Sequence, residues 1–202
     1  MLRKIIIASK ATIFILSCLV FSSCKSDIDL IPRPRMFPRI IFPEKKYITF
    51  EKDYCPFSFT YPDYAEVVQD TLFFDERPAH PCWFDLKVPS LNSTIHCSYY
   101  PIQSIKDFDK FVDDAFNMAG KHNIKAEARE EYLIQDKDVS GIIFEIKGPV
   151  ASPYQFFMTD SLHHFLRGSL YINDAVNPDS TKIIIDFLKE DIEKIIESFT
   201  WR

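Results

Sequence analysis

The stretch that decides the fold is 82-CWFDLKVPSLNSTIHCSYY-100, in which two alternating runs flank a short polar turn. Every second residue of each run is apolar, as on a strand with one buried face. The apolar side comprises Cys82, Phe84, Leu86, Val88, Ile95, Cys97 and Tyr99. Because turn-forming residues separate the runs, the stretch predicts a β-hairpin.

Further runs of the same kind lie on both sides of this hairpin. They are CPFSFTY (55–61), EEYLIQ (130–135), GIIFEIKG (141–148), YQFFMTD (154–160) and HFLRGSLYI (164–172). Ser104 and Asp107 form a capping box that starts a helix, which is expected to end at Gly120. A second helix over 181–199 has one apolar stripe. The order predicts an α+β fold, a single domain in which two amphipathic helices pack on an antiparallel sheet.

The first 23 residues have the features of a lipoprotein signal peptide. Basic residues precede an apolar run over 11–21, which is shorter than the ~20 residues that a membrane crossing needs. Ser22 and Ser23 then precede Cys24, which is expected to become the acylated N-terminus, with palmitate among the acyl chains. The alternative is an ordinary secretory signal without lipid.

We predict that residues 24–44 form a tether and that residues 45–202 form a globular domain. The tether is rich in proline and arginine, a composition that favours an extended chain of about 3 Å per residue. Removal of residues 1–23 takes away three positive charges and changes the formal net charge from −5 to −8. Such an acidic chain is a poor candidate for nucleic-acid binding.

The stretch 159-TDSLHHFLRGSLYI-172 contains residue types found in active sites. Adjacent residues of a strand point to opposite faces, so His163 and His164 are unsuited to bind one metal ion, and no other histidine has metal-binding spacing. Ser161 and Ser169 also lack the sequence context of a nucleophile elbow. We therefore predict no catalytic residue, no metal and no cofactor.

Several segments, taken in order, resemble the motifs of the GldD family of gliding-motility lipoproteins from Bacteroidota. They are RPRMFPRIIFPEKKY (33–47), CPFSFTYPDYA (55–65), CWFDLKVPSLNSTIHCSY (82–99), KHNIKA (121–126), ASPYQFFMTDSLHHFLRGSLYI (151–172), NPDS (177–180) and ESFTW (197–201). The resemblance spans nearly the whole mature chain.

The resemblance implies a lipid-anchored cell-envelope protein required for gliding and for the associated type IX secretion machinery. Its expected partners are other envelope proteins of that machinery and, through the lipid, the membrane. It implies no enzymatic activity. Lys25 stands where many lipoproteins retained at the inner membrane have aspartate, which favours the outer membrane, although Asp27 and Asp29 leave surface export open. Two alternatives remain: an envelope ligand-binding lipoprotein and a periplasmic hydrolase.

Cys55 and Cys82 are expected to form a disulfide. Each precedes a strand and adjoins a proline, and export permits oxidation. Closing a loop of this length contributes roughly 3 to 4 kcal/mol in the chain-entropy model. Cys97 is instead expected to be a buried free thiol.

Arg167 and Tyr171 are the candidate partner-binding residues. The alternation of 164–172 places His164 on the inner side and these two residues on the other face. Arginine and tyrosine frequently anchor protein interfaces. The structural alternative is that Arg167 pairs with a nearby acid such as Asp160.

Overall fold

The computed structural model describes residues 39–71, 78, 80–173 and 178–202, with only the backbone described for 178–180. The predicted signal peptide, Cys24 and most of the predicted tether lie outside the described residues. The strands are β1 (Tyr47–Glu51), β2 (Phe57–Pro62), β3 (Glu66–Gln69), β4 (Trp83–Val88), β5 (Ser93–Pro101), β6 (Ala128–Asp136), β7 (Val139–Lys147), β8 (Tyr154–Thr159), β9 (His164–Ile172) and β10 (Thr200–Trp201). The helices are α1 (Ile105–Gly120) and α2 (Pro178–Glu197), and short 3-10 turns cover Pro89–Leu91 and Lys121–Ile124.

The strands form two antiparallel sheets. The larger has seven strands in the order β3-β4-β5-β9-β8-β7-β6, and the smaller has the order β1-β2-β10. The predicted hairpin is β4–β5, whose register places Phe84 opposite Cys97 and Leu86 opposite Ile95. The prediction of an α+β domain with an antiparallel sheet and two helices is confirmed.

One side of the large sheet, called here the core face, is covered by the small sheet and α2. Phe57 of β2 is fully buried, and its ring centroid lies 5.9 Å from that of Phe50 and 6.3 Å from that of Phe84. Leu188 and Ile192 of α2 are fully buried in the same core. The predicted apolar stripe is therefore present in α2.

The opposite side, called the helix face, carries α1 over only part of its area. The buried residues of this contact include Ala115, Ala119, Phe144, Ile146, Phe157 and Phe165. Ser104 caps α1 as predicted, with its side chain accepting from the Asp107 backbone N–H. Gly120 is the last helical residue, but its φ of −61° is helical, so the chain continues into a 3-10 turn without a left-handed glycine cap.

The segment before β1 packs on the domain. Ile40 and Phe42, within the predicted tether, contact the core, and the Phe42 ring centroid lies 4.5 Å from that of Phe187 in α2. Lys45 forms an ion pair with Asp191 at 3.1 Å. The chain is thus already attached to α2 where it enters the small sheet.

Candidate functional site

The stretch 159–172 forms the end of β8, a tight turn and β9. The Asp160 carboxylate accepts backbone hydrogen bonds from Leu162, His163 and His164 at 3.0, 2.8 and 2.8 Å. Burial alone would raise the pKa of Asp160, but these three donors outweigh it and hold the pKa below its usual value. Ser161 has a φ of 64°, which places it in the left-handed region. Asp160 therefore organises the turn and does not pair with Arg167.

The two histidines have separate environments. His164 begins β9 and points to the core face, where its Nδ1 lies 2.7 Å from the Tyr99 hydroxyl and its ring stacks on Trp201 at 5.1 Å. His163 is exposed in the turn before the strand, with its Nδ1 3.7 Å from Asp160. Burial lowers the pKa of His164. Within the described ranges, no three His, Cys, Asp or Glu side chains are arranged to hold a metal ion.

A cleft of about 800 Å³ opens between this turn, the β6–β7 turn and β10. Aromatic rings of His164, Phe199 and Trp201 line it, together with polar and charged groups that include Asp160 and Arg202. Apolar surface with a few polar groups is typical of small-ligand sites. Sequence reasoning missed this cleft, because its wall combines the β8–β9 turn with the distant ESFTW segment.

Arg167 lies on the helix face, half-buried beside the area that α1 covers. Its Nη2 donates a hydrogen bond to Gln155 Oε1 at 3.1 Å. Among the described residues it has no carboxylate within ion-pairing distance, and the sequence-based pairing with Asp160 is wrong. Burial lowers the pKa of Arg167, while Tyr171, Tyr100 and Asp114 act weakly in the other direction. The charge is therefore partly dehydrated and bonded to one neutral amide.

A row of polar side chains crosses the sheet next to Arg167. Because opposite residues of antiparallel strands share a face, the registers align these side chains. The row consists of Asp85 on β4, His96 on β5, Ser169 on β9 and Gln155 on β8, each opposite the next. We call these four residues, with Arg167 and Tyr171, the Arg167 patch.

Hydrogen bonds within the Arg167 patch are unevenly distributed. His96 Nδ1 lies 2.6 Å from Asp85 Oδ1, and the His96 ring packs edge-on against Tyr171 at 5.2 Å. Gln155 is only 2% exposed, and its Nε2 has no acceptor in the part of the chain that the structure describes. The patch consequently combines one satisfied acid with donors that lack acceptors.

Asp85, His96 and Ser169 are the residue types of a serine hydrolase, and they lie side by side. The observed hydrogen bond joins only His96 and Asp85. Ser169 lies within the regular β5–β9 ladder, and Gly168 beside it faces the other way, where the Phe156 ring fills the space that a side chain would need. Local sequence indicated none of this, since the three residues belong to three strands.

The three described cysteines are buried in the core on the core face. A disulfide links Cys55 and Cys82, whose Cα atoms are 5.3 Å apart. Cys97 is a buried free thiol on β5, and burial raises its pKa. Gln155 was overlooked by the sequence reasoning, although a single amide in the apolar run YQFFMTD was a detectable signal.

Comparisons with known proteins identify the family. No curated protein sequence matches the chain. The solution structure of cyanobacterial PsbP (CyanoP) from Synechocystis sp. PCC 6803 is similar at a TM-score of 0.45 and 12% identity, covering 79% of this chain and 95% of that one. Neither described helix has the length and hydrophobicity to cross a membrane. The model of the gliding motility lipoprotein GldD family matches residues 27–201. The chain therefore belongs to the GldD family of gliding motility lipoproteins, which implies a lipid-anchored envelope protein associated with gliding.

Proposed function

We propose that the protein is a non-enzymatic structural or assembly component of the gliding apparatus and of its type IX secretion machinery, and that it binds a protein partner through the Arg167 patch. The observation that carries this proposal is the half-buried guanidinium of Arg167, bonded to one neutral amide. A buried charge normally has charged or multiple hydrogen-bonding partners. A partner protein that supplies them would stabilise the complex more than the isolated domain.

The composition of the Arg167 patch also supports a protein interface. Arginine and tyrosine are enriched among residues that dominate binding energies, and Arg167 and Tyr171 lie on the same face of β9. His96 has a half-exposed side chain, so the row is accessible from solvent at β5. Binding here would leave the core face undisturbed.

The decisive experiment replaces Arg167 with alanine in cells that glide. We expect loss of gliding and of secretion, while the purified variant melts within a few degrees of the parent, because Gln155 loses a single hydrogen bond. Arg129→Ala is the matched control. Arg129 is also half-buried on the helix face but pairs with Glu131 at 2.8 Å. A large loss of thermal stability in Arg167→Ala would reduce the phenotype to misfolding and contradict the proposal.

A photo-crosslinking residue at Tyr171 tests contact directly. We expect one discrete covalent adduct in living cells, identified by mass spectrometry as an envelope protein. The same residue at Ile183, which is exposed on α2, serves as the control and should not give this adduct. Equal adducts from both positions would indicate non-specific proximity and count against a defined interface.

The proposed location is the outer membrane, with the anchor on Cys24. The lipobox-like sequence before Cys24 and the lysine after it support this placement. Cys24→Ala should release the protein from membranes or block its processing. Unchanged membrane attachment together with unchanged mass would contradict acylation.

A second candidate function is binding of a small envelope ligand in the cleft. The aromatic rings of His164, Phe199 and Trp201 favour it. The chain has two tryptophans, so a Trp83→Phe variant leaves Trp201 as the only indole reporter. A co-purifying small molecule seen by native mass spectrometry, whose removal shifts Trp201 fluorescence, would support this function. A mass equal to that of the processed, acylated chain alone would oppose it.

A further inference from the structure

We infer that the partner presents a carboxylate side chain, from aspartate or glutamate, to Arg167. This inference rests on the proposed function and specifies the chemistry of the same site. It follows from an excess of hydrogen-bond donors and positive charge at one end of the Arg167 patch, which an anionic acceptor would balance.

The donors can be counted from the side chains. A guanidinium has five N–H groups, and Arg167 uses one of its nitrogens on Gln155 Oε1 at 3.1 Å. The amide nitrogen of the same Gln155 has no acceptor within the described chain, although the residue is almost completely buried. Gln155 therefore turns its only acceptor towards Arg167 and leaves its own donor unused. The other guanidinium N–H groups have no acceptor among the described residues and remain available to a partner.

The charges around the guanidinium agree with this count. His122, in the 3-10 turn after α1, has a lowered pKa, through burial and through the positive charge of Arg167. Asp114 of α1 is an acid whose field reaches Arg167, but among the described residues no ion pair joins the two. Asp85, at the other end of the row, is already bonded to His96. The acids near the patch thus leave Arg167 available.

A carboxylate fits the geometry better than a point-like or bulky anion. The planar guanidinium matches two carboxylate oxygens in parallel hydrogen bonds, which are stronger than bonds between neutral groups. Arg167 lies in the middle of the sheet, between Ser98 of β5 and Phe157 of β8, and not at an edge. A single protruding side chain can reach such a position, whereas a lipid headgroup lies in a broad membrane surface.

The experiment compares lysine, glutamine and glutamate at position 167 in full-length protein carrying the photo-crosslinker at Tyr171. We expect the adduct yield to fall several-fold in Arg167→Lys, at least tenfold in Arg167→Gln, and below detection in Arg167→Glu. The same three substitutions at Arg129 should leave the yield unchanged. Melting temperatures of all six variants separate binding from folding.

The closing step is a charge exchange. In the partner identified by the Tyr171 adduct, lysine replaces each Asp or Glu near the cross-linked site, and one such replacement should restore the adduct with Arg167→Glu. Full adduct yield in Arg167→Gln would overturn the carboxylate inference while leaving the interface intact. The absence of any adduct in the parent protein would instead overturn the proposed function.

A phosphate group of a membrane lipid is the competing anion, and a separate experiment tests it. The non-acylated Cys24→Ala chain is mixed with vesicles of phosphatidylglycerol and phosphatidylethanolamine and sedimented. We expect Arg167→Gln to sediment to the same extent as its parent. A tenfold loss of vesicle binding specific to Arg167→Gln, absent from Arg129→Gln, would assign the site to lipid phosphate and overturn the inference.

Discussion

Asp191 and Arg167 are charged residues that are buried, fully or in part, on opposite sides of the large sheet. They differ in the number and charge of their hydrogen-bonding partners. Asp191 on α2 is fully buried, yet it accepts from the hydroxyls of Tyr47 and Tyr64 and pairs with Lys45 at 3.1 Å. Arg167, by contrast, donates a hydrogen bond to one neutral amide among the described residues, that of Gln155. The first arrangement holds the chain together, whereas the second leaves bonding capacity for another molecule.

The surroundings of the two charges differ in the same way. The core face is covered by the small sheet and α2. Stacked phenylalanines and a disulfide lie between these layers. The helix face around Arg167 is covered by α1 only in part, and the polar row of Asp85, His96 and Ser169 lies on the remaining area. The larger of the two hydrophobic clusters thus lies on the core face, and the smaller one lies under α1 on the helix face.

The largest effect is expected from Asp191→Ala. Removing this carboxylate leaves the Tyr47 and Tyr64 hydroxyls without their acceptor and Lys45 without its buried partner, at a cost of about 4 kcal/mol. Urea unfolding followed by circular dichroism measures the change. Glu190→Ala is the control, because Glu190 also pairs with Lys45 but is exposed, and about 0.5 kcal/mol is expected. Equal effects of the two substitutions would contradict the structural role assigned to the buried carboxylate of Asp191.

Loss of the Cys55–Cys82 disulfide should be the next largest effect. The bridge joins the start of β2 to the start of β4, and so connects the two sheets across the core face. Its removal by a double serine substitution should lower the free energy of unfolding by about 3 kcal/mol. A reducing agent should lower the melting temperature of the parent and leave that of the double variant unchanged. If reduction has no effect on the parent, the bridge does not contribute to stability.

The sequence predicted the large sheet better than it predicted the small one. Alternation over six to nine residues is a local signal, so β4, β5 and β6 to β9 were recognisable along the chain. The short strand β3 has four residues and β10 has two, too few for any period. β1 adjoins the proline-rich segment, and Phe50 is its only fully buried residue, so the strand has no alternating pattern. These three strands are defined by their pairing with longer strands and not by a local sequence pattern.

The candidate site was predictable only residue by residue. Alternation placed Arg167 and Tyr171 on the face opposite His164, and the structure has them there. The partner of Arg167 was not predictable, because Gln155 lies diagonally opposite it on the adjacent strand β8 and the Asp160 carboxylate accepts hydrogen bonds within its own turn. The register between β5 and β9, which aligns His96 with Ser169, joins segments that are distant in the sequence and is not encoded in any single stretch.

A smaller effect is expected from alkaline pH, through the two tyrosines that bond Asp191 on the core face. Burial and the hydrogen bond to Asp191 raise the pKa of both Tyr47 and Tyr64 above the usual value of 10.0. A folded-state pKa that is raised favours the protonated form, so this contribution is complete below pH 10 and is lost as the pH rises above it. Unfolding free energies between pH 9 and 11 should therefore decrease, and Tyr47→Phe should flatten the decrease. An identical slope in that variant would show that Tyr47 is not responsible.

The smallest effect is expected from Ser169→Ala, which tests whether the polar row is a binding surface or a hydrolase. Ser169 lies opposite His96, but the described chain provides no hydrogen bond from the serine hydroxyl to the imidazole. A nucleophilic serine needs a base within hydrogen-bonding reach. We therefore expect no labelling of the parent by a fluorophosphonate, stability of the variant within about 0.5 kcal/mol of the parent, and normal gliding. Tyr171→Ala provides the contrast, since it should leave stability nearly unchanged but weaken gliding by removing an interface residue. Labelling of the parent that disappears in both Ser169→Ala and His96→Ala would reverse this interpretation and make the row catalytic.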